Sequence, residues 1–74
     1  MSRLPRISGR KVIRALSKIG YEKDRQVGSH IVLRQLKYPH RRLVVPDHSE
    51  IAKGTLRAII SQAGLTVAEF MELL

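Results

Sequence analysis

The chain has 74 residues and contains neither cysteine nor tryptophan. That length fits one small domain, 1–74, near the lower limit for a core without staples, and the missing cysteines exclude a disulfide framework and a Cys-based zinc site. Fourteen Lys and Arg against six Asp and Glu give a formal charge of +8 and a sequence pI near 10.9. Residues 1–46 hold twelve of the basic side chains and two of the acidic ones, so the excess is one basic region rather than an even solubilising coat, which is the pattern of a polyanion-binding face. No apolar run approaches the ~20 residues of a membrane span, and the start Met1–Arg6 shows no leader-like apolar segment. A soluble, cytoplasmic protein is expected.

Ser8 is placed to cap a helix running from about Gly9 to Ile19. Val12, Ile13, Leu16 and Ile19 make one apolar stripe along it, while Arg10, Lys11, Arg14 and Lys18 gather on the opposite side. A solvated outer face explains charge there but not charge of a single sign. Lys11, Arg14 and Lys18 are therefore candidate phosphate contacts. Gly20 ends the helix, and Tyr21 to Gln26 reads as a polar first strand.

Val27-Gly28-Ser29 turns the chain into the segment that organises the rest, His30 to Leu36. Alternation puts His30, Val32 and Arg34 on one face of this second strand and Ile31 and Leu33 on the other. Glycine at 28 lets the backbone turn or pass close to a ligand, so Gly28, Ser29 and Arg34 join the candidate phosphate contacts. Lys37 to Arg41 is a loop, because Pro39 can neither donate to a ladder nor leave Tyr38 helical. Arg42 to Val45 is the third strand, closed by Pro46.

Asp47 to Ala52 is a polar connection to a helix starting near Gly54-Thr55, with Leu56, Ile59, Ile60 and Ala63 as its buried stripe and Gly64 as its stop. Lys53, at that helix start, is a further candidate for an anion. Thr66-Val67-Ala68-Glu69 has the form of a capping box and opens a last short helix with Val67, Phe70, Met71 and Leu74 inward. The order α-β-β-β-α plus a short C-terminal helix predicts an α+β fold: an antiparallel three-stranded sheet with the helices on one face and the other face open.

His30 is the residue this arrangement offers for chemistry. Imidazole exchanges a proton near neutral pH, with an unperturbed pKa of roughly 6.5, and His30 follows a glycine turn inside the basic half of the chain. A histidine inside a basic region can act as a base beside a bound phosphodiester, with positive groups offsetting charge that builds on phosphorus. His30 suits the base. His48, after Pro46 and Asp47, reads three ways: a general acid, a phosphate donor, or a loop anchor. His40 reads as plain surface. Ser29 cannot easily pass a proton to His30, because neighbours on a strand point to opposite faces. The three histidines are far apart in sequence and the carboxylates show no paired spacing, which argues against a metal site; no cofactor is expected. Tyr21, Tyr38 and Phe70 are the only aromatics, too few for a base-stacking sheet, so recognition through shape and phosphates is expected.

Gly28-Ser29-His30, Val45-Pro46-Asp47-His48, Lys53-Gly54-Thr55-Leu56-Arg57, Gln62-Ala63-Gly64-Leu65 and Phe70, in that order, resemble the HicA family of toxins. The resemblance covers nearly the whole chain. It implies a fold like that of the double-stranded-RNA-binding domain and a small mRNA interferase of a bacterial toxin–antitoxin pair. It further implies metal-independent cleavage of mRNA, His30 as the catalytic residue, and a neutralising antitoxin of the HicB type. Asp47 and the Tyr38-Pro39-His40 loop fall where the family varies. Two other readings stay open: a non-catalytic double-stranded-RNA-binding module with His30 dispensable, and a DNA-binding regulator. The second is weakened because a sheet, not a turn, separates the two main helices.

Overall fold

Leu4, Ile7, Val12, Leu16, Tyr21, Leu33, Leu43, Val45, Leu56 and Phe70 come from every part of the chain and bury themselves in one apolar cluster. The computed structural model describes residues 4–74; Met1–Arg3, part of the start read above as showing no leader-like apolar segment, lie outside the described residues. The elements are α1 (Gly9–Ser17), β1 (Tyr21–Val27), β2 (His30–Gln35), β3 (Arg42–Pro46), α2 (Lys53–Gln62) and α3 (Val67–Glu72). This is the expected α+β order. The three strands form one antiparallel sheet, β1-β2-β3, with β2 in the centre.

Each element has a local cause. Ser8 caps α1 by accepting from the Lys11 N–H at 3.2 Å. Val12, Ala15 and Leu16 then face the sheet, where α1 packs on β1 and β3. In β2, Ile31 and Leu33 are buried while His30 and Arg34 are exposed. β3 matches this with Leu43 and Val45 buried and Arg42 and Val44 exposed. The helices therefore cover one face of the sheet and leave the His30 face open. The four residues expected to form the inner stripe of α2 are buried. Thr66 and Glu69 close both bonds of the capping box, at 2.8 Å and 3.1 Å.

Several boundaries differ from the sequence reading, and β1 runs on through Val27 while β3 takes in Pro46. α1 ends at Ser17 instead of Ile19, so Ile19 leaves the inner stripe and lies exposed. β2 ends at Gln35 because the Leu36 N–H turns away to donate to the Gly20 carbonyl at 2.8 Å. α2 opens at Lys53. α3 stops at Glu72, which leaves Leu74 exposed and lets Leu73 pack half-buried in its place. Element ends are set by single backbone bonds that periodicity does not encode. Among the described residues, no helix is long and apolar enough to cross a membrane.

Candidate active site at the start of β2

The two-residue turn Gly28-Ser29 joins β1 to β2, with Gly28 at φ 58°. A side chain is disfavoured in that left-handed region, and hairpins of this length need it. Gln26 braces the turn through its Nε2, which donates to the Gly28 carbonyl at 3.0 Å. On the far side, the Asp47 N–H donates to the Ser29 carbonyl at 2.6 Å. His30 thus opens the central strand between Val27 of β1 and Pro46 of β3, its register partners.

Residues paired across an antiparallel sheet share a face, so the register maps the open surface row by row. The first row is Val27, His30 and Pro46; the second is Arg25, Val32 and Val44; the third is Glu22, Arg34 and Arg42. His30 and Arg34 therefore lie on one face, as alternation predicts. Arg25 and Arg42 stand beside them and were not singled out from sequence. The position of Arg25 depends on a register shift between Lys23 and Arg25 that leaves Asp24 unpaired, and no single-strand pattern reports a bulge of this kind; Arg42 joins the face through its regular pairing with Arg34. Asp24 turns its carboxylate toward Arg42 at 3.9 Å.

Arg34 and Arg42 face each other directly. Like charges in that position are unfavourable by up to about 1 kcal/mol, and a bound anion would relieve the repulsion. Val27 and Val44 are also exposed on this surface, so it combines cations, the Glu22 carboxylate beside Arg34, aliphatic patches and one imidazole. No hydrogen bond to the imidazole of His30 is present among the described residues, and the ring stands exposed.

The connection after β3 binds the site to α1. The Gly9 N–H donates to the His48 carbonyl at 2.9 Å and the Ile51 N–H to the Ile7 carbonyl at 2.9 Å. Arg10 donates from Nε to Asp47 Oδ1 at 3.2 Å. His48 thus anchors its loop through its backbone, while its ring is exposed and takes no hydrogen bond among the described residues. Arg10 and Asp47 are the second pair the sequence reading did not place at the site. They are far apart in the chain and only the fold joins them.

Lys11, Arg14 and Lys18 line the exposed side of α1, on the helix-covered side of the sheet. They are not brought onto the His30 face. α1 begins beside Pro46 and runs toward the Gln35 end, so Lys11 is nearest to the His30 end and Lys18 the farthest. Lys18 is also engaged structurally, with Nζ donating to the Leu73 carbonyl at 2.7 Å. Lys53 is exposed at the first turn of α2, where Ala52 provides no side-chain cap. His40 sits at the opposite end of the β2–β3 hairpin with Nδ1 3.1 Å from the Gln35 carbonyl oxygen, away from His30. No three His, Asp or Glu residues gather as a metal site among the described residues.

His30 stands exposed on the open sheet face of a basic chain whose elements run α-β-β-β-α with a further short helix. The family model described as the HicA toxin of bacterial toxin–antitoxin systems matches residues 9–65. The chain belongs to the HicA toxin family. The match runs from the first residue of α1 to just past α2 and includes the Gly28-Ser29-His30 turn and the Pro46–His48 segment. No curated protein matches the chain. Membership makes this HicA-family chain the toxin of a toxin–antitoxin pair, and so a protein with an antitoxin partner.

Proposed function

We propose that this HicA-family toxin is a metal-independent endoribonuclease that cleaves mRNA with His30 as its catalytic residue, and that a HicB-type antitoxin inhibits it by covering the open sheet face. The observation that carries the reading is the exposed His30 on the same face as Arg25, Arg34 and Arg42. His30 takes the proton of a ribose 2′-OH. The 2′ oxygen bonds to the adjacent phosphorus as the bond from phosphorus to the 5′ oxygen breaks, giving a 2′,3′-cyclic phosphate and a 5′-hydroxyl. The departing 5′ oxygen takes a proton from the His48 ring or from water. Arginines on the face offset the charge that builds on phosphorus, an effect worth several kcal/mol when donors are fixed in place. Gly28 and Ser29 shape the rim, and Lys11, Arg14 and Lys53 hold flanking phosphates.

The separation of the α1 cations from the His30 face favours one competing reading, a binding module that uses α1 alone on double-stranded RNA. Incubating the purified chain with RNA in EDTA decides between them. The nuclease reading expects fragments ending in cyclic phosphate, and intact RNA after prolonged incubation overturns it.

A further inference from the structure

At the end of the sheet opposite His30, the chain forms a cleft of about 380 Å³ lined by Lys18, Ile19, Gly20, Gln35, Leu36 and Lys37. His30 opens β2 and Gln35 closes it, so at ~3.3 Å per residue the cleft lies roughly 17 Å along the strand from the imidazole. Its floor is aliphatic: Ile19 is 37% exposed and Leu36 56%. Tyr38, on the adjoining loop, is 88% exposed. Its rim carries two lysines and no acid.

The cleft is held open by backbone bonds. The Leu36 N–H donates to the Gly20 carbonyl at 2.8 Å, and the Ile19 N–H to the Leu16 carbonyl at 3.1 Å. Lys18 is fixed by its bond to the Leu73 carbonyl. A site already shaped before binding loses little conformational freedom when it is filled. Aliphatic floors do not contact phosphates, and the cleft lining itself holds no aromatic side chain on which a base of single-stranded RNA could stack. The composition fits protein instead, since a large apolar side chain seated in a pocket with a charged rim is how protein interfaces concentrate their affinity.

We propose that this cleft is a second docking point for the antitoxin, taking an acidic segment that inserts one large apolar side chain between Ile19 and Leu36. The inference rests on membership of the toxin–antitoxin family and does not depend on RNA cleavage. A partner engaging both the His30 face and the cleft would gain from the raised effective concentration of its second contact. The cleft would then keep the antitoxin tethered when RNA competes for the face.

The test uses the antitoxin co-expressed and purified with the chain. The Leu36→Glu, Lys37→Glu double variant replaces one of the two apolar floor side chains with a charge and reverses one rim charge, both at exposed positions. The expected result is at least a tenfold rise in the antitoxin Kd, with the melting temperature and RNA affinity unchanged. A Kd within twofold of the unsubstituted protein overturns the proposal, and so does a loss confined to RNA affinity, which would assign the cleft to RNA. Should the acidic pair lower the melting temperature, the Leu36→Ser, Lys37→Ser pair decides: a weaker antitoxin complex supports the site and an unchanged one overturns it. Failure of the unsubstituted protein to cleave RNA would sink the nuclease reading and leave the affinity measurement valid.

Discussion

A methyl group on Gly9 would overlap the carbonyl oxygen of Pro46. The first turn of α1 rests directly on the end of β3, at the residue paired with His30, and only a residue without a Cβ allows that approach.

Gly9→Ala is therefore expected to destabilise the protein, although alanine is the better helix former by about 1 kcal/mol. Relieving the overlap means moving α1 off the strand, and overpacking of this kind costs about 1–3 kcal/mol. For a chain of this size each kcal/mol lowers the melting temperature by roughly 4–8 °C. Gly54→Ala is the control: nothing lies within 4 Å of its added Cβ, and it should gain about 0.5 kcal/mol. Thermal melts of the two variants check this, and a Gly9→Ala protein as stable as the parent would contradict the packing.

Glu69 gives the fold a dependence on acid. Its carboxylate accepts from the Thr66 N–H at 2.8 Å, and that backbone bond first, then the Thr66 side chain, holds its pKa below the ordinary carboxylate value. A carboxyl depressed in the folded state contributes stability that is present above its unfolded pKa and lost as pH falls through the folded one. The melting temperature should drop more steeply with acid in the parent than in Glu69→Gln. Parallel curves from neutral pH to below the carboxylate range would show that the capping box carries no such linkage.

Much of the fold was legible in the sequence because its signals are local. Ser8 and the Thr66–Glu69 box cap the helices they announce, and Leu56, Ile59, Ile60 and Ala63 bury as their spacing requires. The candidate site was legible only where one strand sufficed, as for His30 and Arg34. Arg25 joins that face through pairing across a bulge and Arg42 through its pairing with Arg34, and Arg10 meets Asp47 through a helix-to-loop contact. Ile19 failed for a related reason: a stripe continues in sequence after the helix has stopped, and the chain tightens there through the Lys18-to-Ala15, Ile19-to-Leu16 and Gly20-to-Ser17 bonds.

If the α1 cations hold phosphates, the Lys11→Gln, Arg14→Gln pair should flatten the salt dependence of RNA binding. Each neutralised phosphate contributes a slope of about −0.7 on single strands and −0.9 on duplex, so removing two contacts should cut the slope by roughly 1.4–1.8. Lys18 is left in place because its substitution would also release the Leu73 carbonyl. Titrations across a series of salt concentrations check this, and an unaltered slope confines RNA to the sheet face.

His30→Ala separates chemistry from architecture. The ring is exposed at the first position of β2, and its removal uncovers none of the buried cluster. Alanine is a poorer strand residue by up to about 1 kcal/mol, so the variant should fold and melt within a few degrees of the parent. RNA binding should persist, since Lys and Arg carry the phosphate contribution. Loss of a general base costs about 10²–10⁴-fold in rate, so cleavage in EDTA should fall by that factor and toxicity on expression should disappear. Rates, melts and RNA affinities measured side by side make the outcomes distinct. A folded variant that cleaves at the parent rate removes His30 from the mechanism, while one that no longer folds makes the residue structural and leaves its chemistry to a milder substitution, His30→Gln.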